Sequence, residues 1–312
     1  MLSLPGCKRA IRGNFMTDVA TTQANLEAGS IIFVATPIGT ARDITLRALD
    51  VLAQADVLVA EDTRTLRKLM DIHGVALNGR PLIAYHDHNG AAVRPRLLGL
   101  LGEGKTLAYA SEAGTPLVAD PGYGLAQDAL DNGFAVTSAP GPSAVITALT
   151  IAGLPTDRFF FAGFSPNTTA ARKGFIEEMR EIPGTLVFYE SPKRLAAFLS
   201  DAAQVLGGTR KATVCRELTK KFEEARRGDL SELASHYQEN KARGEVVVVI
   251  DRSRSDSVNA ETLEESLRQA LTTMRVRDAA DAVSTAHGVA RRDVYQLAIA
   301  MNKETRDGGD ED

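Results

Sequence analysis

The chain has 312 residues, 44% of them hydrophobic, with a formal net charge of −4. That length and apolar content are enough for more than one core, while the mild acidity argues against a protein that coats nucleic acid generally. Two cysteines, Cys7 and Cys215, exclude a disulfide framework and supply no zinc spacing, which fits a reducing cytoplasm. No apolar run reaches the roughly 18 residues that span a bilayer, so no membrane partner is expected. Residues 1–28 carry Lys8, Arg9 and Arg12 but no apolar segment of the secretory kind. They read as a disordered arm, in which Met16 is an alternative start.

From there strands and helices alternate. Strand-like runs fall at 30–36, 55–60, 81–85, 105–110 and 133–138, with helical stretches at 43–53, 63–71, 91–101 and 120–131. This pattern predicts a mostly parallel sheet wrapped by helices, over 29–152. A helical run ends near Ala152, and Gly153-Leu154-Pro155 reads as a hinge. Further strands at 158–163, 184–189, 211–216, 225–228 and 246–250 have shorter connections, which predicts a second, mixed sheet over 153–252. A polar, Ser-rich stretch (251–260) reads as a linker. Residues 260–303 show helical periodicity only, and 304–312 read as an acidic, disordered tail. The expected fold is therefore α/β: two α/β domains with a ligand cleft between them, plus a small C-terminal helical domain.

The chemistry is expected in the loops at the carboxyl ends of strands, where open α/β sheets bind ligands. Neither a Gly-x-Gly-x-x-Gly turn nor a Walker phosphate loop follows the first strand, so the common dinucleotide and nucleotide readings lose their support. Four small-residue loops stand there instead: Ala35-Thr36-Pro37-Ile38-Gly39, Ser111-Glu112-Ala113-Gly114-Thr115-Pro116, Pro140-Gly141-Pro142-Ser143-Ala144 and Tyr189-Glu190-Ser191-Pro192. Glycine admits close backbone approach, proline fixes loop shape, and Ser143 is placed to cap a helix. Asp120-Pro121-Gly122-Tyr123-Gly124 follows the second loop directly. Basic pairs elsewhere (Lys193-Arg194, Lys220-Lys221, Arg226-Arg227) read as solvated faces or as local patches.

These loops, together with Asp43–Leu49, Ala60-Glu61-Asp62-Thr63-Arg64, Tyr85-His86-Asp87-His88-Asn89, Gly153–Phe159 and Arg216-Glu217-Leu218-Thr219-Lys220, resemble the tetrapyrrole (corrin/porphyrin) methylase family. Within it, the chain is similar to the branch that methylates a cytidine 2′-hydroxyl in 16S ribosomal RNA. The resemblance covers about residues 30–251, and the helical tail is similar as well. It departs at Glu112, where the family usually has Asp, and at Thr40, where it usually has Asn.

The resemblance implies S-adenosylmethionine as methyl donor and no metal. Pro37, Glu112, Gly114, Thr115, Pro116, Ser143, Ala144 and Tyr189 would shape the donor pocket. Arg64, Asn89 and Lys220 would face RNA, as would Arg291 and Arg292 at the start of a helix in a helix-turn-helix-like unit. A base for the weakly acidic ribose hydroxyl would come from Glu61, His86 or Glu190. Each also has a plainer role open to it: a helix-start pair of Glu61 with Arg64, a surface loop for His86, a backbone acceptor for Glu190. The implied partner is 16S rRNA within the 30S subunit, acted on by a homodimer. A tetrapyrrole-precursor methyltransferase and a non-catalytic ribosome-binding scaffold are the competing expectations.

Overall fold

The computed structural model describes residues 26–86, 88–252, 260–287 and 291–307. Most of the expected arm with Cys7 and Met16, the greater part of the linker, the Gly288-Val289 turn and the end of the tail lie outside the described residues.

The first sheet contains β1 (Ser30–Val34), β2 (Val57–Ala60), β3 (Leu82–Ala84), β4 (Leu107–Ala110) and β5 (Ala135–Ala139). Every pairing is parallel, in the order β3-β2-β4-β1-β5. The sequences SIIFV, VLVA and LAYA are buried throughout, as strands covered by helices on both faces must be. Helices α1 (Leu46–Gln54) and α2 (Thr63–Ile72) cover one face, and α3 (Gly90–Gly102) and α4 (Tyr123–Asp131) cover the other. Two of these helices begin at strong caps. Thr45 accepts a bond from the Ala48 N–H, and Asp62 from those of Arg64 and Thr65.

Because β1 leads into α1 on one face and β4 into α4 on the other, the chain diverges between these adjacent strands. Such a switch point leaves a crevice beyond the strand ends. The loops 35–39 and 111–116 border it.

Helix α5 (Ala144–Ala152) joins the halves. Its Val145, Ala148, Leu149 and Ala152 are buried against Val187, Cys215, Val247 and Val249 of the second sheet. Each fully buried aliphatic side chain in such a seam contributes roughly 1.5–3 kcal/mol. The helix ends at Gly153, whose φ of 75° is the left-handed stop that glycine tolerates best.

The second sheet is mixed, as expected. It contains β6 (Phe159–Phe164), β7 (Thr185–Glu190), β8 (Lys211–Arg216), β9 (Glu224–Asp229) and β10 (Val246–Ile250), in the order β6-β7-β10-β8-β9. Only β6 and β7 run parallel. Helices α6 (Thr169–Glu177), α7 (Leu195–Leu206) and α8 (Leu230–Glu239) cover the face away from α5. A buried Arg172–Asp201 pair at 2.6 Å joins α6 to α7.

Helices α9 (Ala260–Leu271), α10 (Val276–His287) and α11 (Arg291–Asp307) form the last unit. Leu267, Ala280, Val283, Val294 and Ala298 make its core. Leu297 packs against this core, and Ala279 of α10 is buried outside it. Helix α11 continues to Asp307, four residues beyond the expected boundary at 303.

Candidate active site

Backbone bonds fasten the loops at the switch point to one another. The Thr36 N–H donates to the Gly114 carbonyl at 2.9 Å, and the Gly114 N–H to the Thr36 carbonyl at 3.0 Å. The Ser111 hydroxyl donates to the same Gly114 carbonyl at 2.6 Å, and the Thr115 hydroxyl to the Pro142 carbonyl at 2.9 Å. Three strand-end loops are thereby locked together. Gly114 has φ 84°, a conformation that side chains disfavour.

The first-sheet loop also presses on the second domain. A Cβ at Gly39 would lie 2.5 Å from Thr219 Oγ1 and 2.8 Å from the Leu218 carbonyl. Glu217 and Thr219 both have positive φ there, so the 217–220 turn is itself strained.

Between the sheets these loops enclose a cavity of about 330 Å³, a usual size for a small-molecule site. Ile38, Val118, Leu218, Val246 and Val247 give it aliphatic walls. Its charged lining side chains are Asp120, Glu190 and Glu245, and no Lys, Arg or His is among them. Arg194 and Lys220 pair with Glu190 and Glu245 at 2.7 and 2.9 Å, so the lining itself offers a polyphosphate no cation and suits a partly aliphatic ligand.

Tyr189 stands on the wall between Phe161 and Phe164, with ring centroids 4.8 and 5.4 Å away. Burial first, then Asp120 and Glu245, push its phenol up to about 12, so it stays protonated.

Five of the residues expected at a donor pocket line this cavity: Gly114, Thr115, Ser143, Ala144 and Tyr189. Pro37, Glu112 and Pro116 are not among its lining residues; Glu112 is exposed and Pro116 is buried. Ser143 occupies the N-cap position of α5, but its side chain makes no capping bond. The expected cap is absent, and that helix end lines the cavity.

Glu190 also lines the cavity and is 2% exposed. Its carboxylate accepts from Ser165 Oγ at 2.5 Å, the Ser191 N–H at 2.7 Å, and Arg194 Nε and Nη2 at 2.8 and 3.0 Å. Acting as a base would require it to surrender one of these bonds. Arg194 also donates to Asn167 and Ser165, so the group braces the loop after β7.

The expected RNA-facing residues lie elsewhere. Arg64 is exposed and pairs with Asp62 at 3.0 Å, so the helix-start pair involves Asp62 rather than Glu61. That bond, and more weakly Glu112, raises the Arg64 guanidinium. Glu61 follows β2 and lines neither cavity described here. Asn89 uses its side chain on the turn before α3, accepting from the His86 N–H at 2.8 Å and donating to the Ala84 carbonyl at 3.0 Å. Lys220 bridges Glu217 and Glu245 at 3.1 and 2.9 Å. Arg291 pairs with Asp281 of α10, while Arg292 is exposed.

A second cavity of about 270 Å³ lies beside the first, and Asp120 lines both. His86, Arg94, Tyr123 and the glycines 90, 122 and 124 border it. The 117–122 loop that carries Asp120 is strained: Leu117 and Ala119 have φ of 69° and 59°, and Gly122 has 125°. Asp120 was not among the site residues expected from the sequence. Its signal was present in the Asp-Pro-Gly turn directly after the second small-residue loop. Among the described residues, no group of three or more His, Cys, Asp and Glu is arranged to hold a metal.

Comparison with known proteins bears on this geometry. Residues 30–234 match the family described as Tetrapyrrole (Corrin/Porphyrin) Methylases, and residues 256–302 match the RsmI C-terminal HTH domain. The chain is 42% identical to Ribosomal RNA small subunit methyltransferase I of Mesorhizobium japonicum, over 90% of this chain and 95% of that protein. It is 41% identical to the protein of the same name from Mycobacterium tuberculosis (90% and 98%), and 38% identical to that of Escherichia coli O157:H7 (88% and 96%). Among solved structures, diphthine synthase superposes with a TM-score of 0.55 at 15% identity, covering 71% of this chain and 90% of that one. Cobalt precorrin-4 methyltransferase superposes at 0.53 and 16%, covering 72% and 95%. At such identities these two likenesses establish the fold alone.

Proposed function

Because the chain belongs to the tetrapyrrole (corrin/porphyrin) methylase family, as a relative of ribosomal RNA small subunit methyltransferase I, we propose that it methylates a cytidine 2′-hydroxyl of 16S ribosomal RNA, with S-adenosylmethionine as donor. The observation that supports the donor assignment is the lining of the cavity: a part-aliphatic space of small-molecule size, walled by loops whose backbone groups are locked in place to meet the ligand's polar edges.

S-adenosylmethionine supplies an already activated methyl carbon, open to in-line attack. The protein therefore has mainly to position the two reactants and exclude misaligned ones. Gly114, Thr115, Ser143, Ala144 and Tyr189 shape the donor side, where the locked loops present backbone groups at fixed positions. Of the groups that could receive the hydroxyl proton, Glu61 borders neither cavity, His86 borders only the second, and Glu190 would have to release a bond, which leaves Asp120, on the wall of both, as the candidate. Arg64 and Arg292, both exposed, offer charge to RNA phosphates. The substrate is the assembled 30S subunit, the enzyme acts as a homodimer, and its place is the cytoplasm.

The test is methyl transfer from labelled S-adenosylmethionine to purified small subunits lacking the modification, with the product nucleoside identified. The expected product is 2′-O-methylcytidine. Transfer to a tetrapyrrole precursor and none to subunits would overturn the reading. Donor binding without any transfer would favour a scaffold.

A further inference from the structure

We propose that the second cavity is the socket for the target nucleobase, a pyrimidine swung out of its RNA stack. This rests on the ribose-methylating reading above, and it assigns the part of the substrate that the donor cavity does not touch.

A nucleoside presents its base and its 2′-hydroxyl from neighbouring ribose carbons, so base and methyl donor must occupy adjoining spaces with the ribose between. Asp120 stands in the walls of both cavities, so a ribose beside it would reach one with its base and the other with its hydroxyl. The strained 117–122 loop holds that boundary residue in place, as functional sites often require.

The wall of the second cavity has the chemistry to hold a base. Extruded bases are read by stacking on an aromatic ring and by hydrogen bonds to their Watson–Crick edge. Tyr123, in the first turn of α4, is 71% exposed at the cavity rim, where a free aromatic face can receive a base. His86 Nδ1 is buried and has no hydrogen-bond partner, an arrangement that native proteins rarely leave unanswered. Arg94 is steered by Asp128 at 3.1 Å and has further N–H groups to donate. Arg94 can donate to the O2 and N3 acceptors of cytosine, and His86 Nδ1 can accept from the exocyclic amine.

The glycines of the wall let the side chains that line it pack close against the backbone. A Cβ at Gly124 would lie 2.4 Å from Arg94 Nη1, and one at Gly90 3.1 Å from the Tyr85 hydroxyl, so a side chain at either position would displace a lining residue.

The experiment compares wild type with Ala91→Leu, which fills the cavity from the exposed first turn of α3, and with Tyr123→Ala and Tyr123→Phe. Methyl transfer to unmodified 30S subunits and calorimetric binding of S-adenosylmethionine are both measured. A91L and Y123A should lose roughly tenfold to a hundredfold in transfer, the scale of one base–aromatic stack, while Y123F keeps the wild-type rate. Donor affinity should stay within about twofold in all three, because only the acceptor side is altered. Wild-type transfer by both A91L and Y123A would overturn the socket alone, as would a loss of donor binding that matches the loss of transfer. No transfer to subunits by the wild type would instead remove the functional reading, and the socket with it.

Discussion

The loops of the first sheet and those of the second meet around one cavity, but they are held by different forces. In the first sheet, Thr36, Ser111, Gly114 and Thr115 are joined by backbone and hydroxyl bonds between neutral groups. In the second, Glu190–Arg194, Glu217–Lys220–Glu245 and Arg216–Glu224–Arg226 join the loops through charge. Neutral bonds between buried backbone groups do not titrate, whereas charged pairs at partly exposed positions respond to pH and salt. The donor cavity thus has one wall fixed by geometry and another fixed by electrostatics.

The largest effect is expected from breaking the geometric wall. Gly114→Val forces a β-branched residue to φ 84° beside Ile38, displacing the loop that Thr36 and Thr115 share. A displacement of about 1 Å in a reacting site costs on the order of a hundredfold in rate. Methyl transfer should fall at least that far, with donor binding lost in calorimetry, and unaltered donor affinity would show that the loop does not shape the cavity.

On the charged wall, Glu190→Ala leaves Arg194 without its buried partner. Breaking buried pairs costs about 3–5 kcal/mol, and about 3 is expected here because Arg194 keeps part of its surface in water. Urea unfolding would read this, and a variant as stable as wild type would mean that Glu190 is no brace.

Acid should then separate the two walls. The Glu245 N–H, above all, holds the Glu217 carboxyl below its ordinary value of 4.5, and Arg216 does the same for Glu224. A depressed carboxyl stabilises the fold above its unfolded value, and that contribution fades as pH falls from about 4.5 through the native value. Burial alone would lower the Lys220 ammonium, but its bonds to Glu245 and Glu217 outweigh burial and raise it above 10.5. Its contribution is complete below 10.5 and is lost only as pH rises through that higher native value. Hydrogen exchange, corrected for its intrinsic pH dependence, should therefore loosen residues 216–224 below pH 4.5 before residues 111–116. Simultaneous loosening would contradict the contrast.

The smallest expected change is at Arg64, exposed and outside both walls. Arg64→Ala should leave the melting temperature unaltered, yet lower RNA affinity and reduce the slope of log affinity against log salt by about 1. An unchanged salt slope would mean that Arg64 touches no phosphate.

The same contrast explains what the sequence could reveal. Apolar runs such as Ile31–Val34 and Leu107–Ala110 are legible because parallel strands are covered on both faces. The small-residue loops are legible because Gly and Pro announce unusual backbone at strand ends. Which loop residues turn toward the ligand is not local information. Pro37 and Pro116 shape loops without lining the cavity, while Asp120 and Glu245 line it from positions far apart in the chain. Of the adjacent carboxylates Glu61 and Asp62, only the dihedral angles at the start of α2 make Asp62 the cap and the Arg64 partner. The charged wall was obscured most, because Lys220 meets Glu245 at a separation of 25 positions in the sequence.

Cys215 gives the seam between α5 and the second sheet a chemical clock. Its thiol is buried and faces the Ala148 carbonyl at 3.9 Å, and burial pushes it up to about 11. Such a thiol reacts with an alkylating reagent only when the helix lifts from the sheet, so its labelling rate counts openings of the joint between the two halves. A joint that stays shut on the timescale of turnover makes the cleft a rigid socket, entered and left through its mouth.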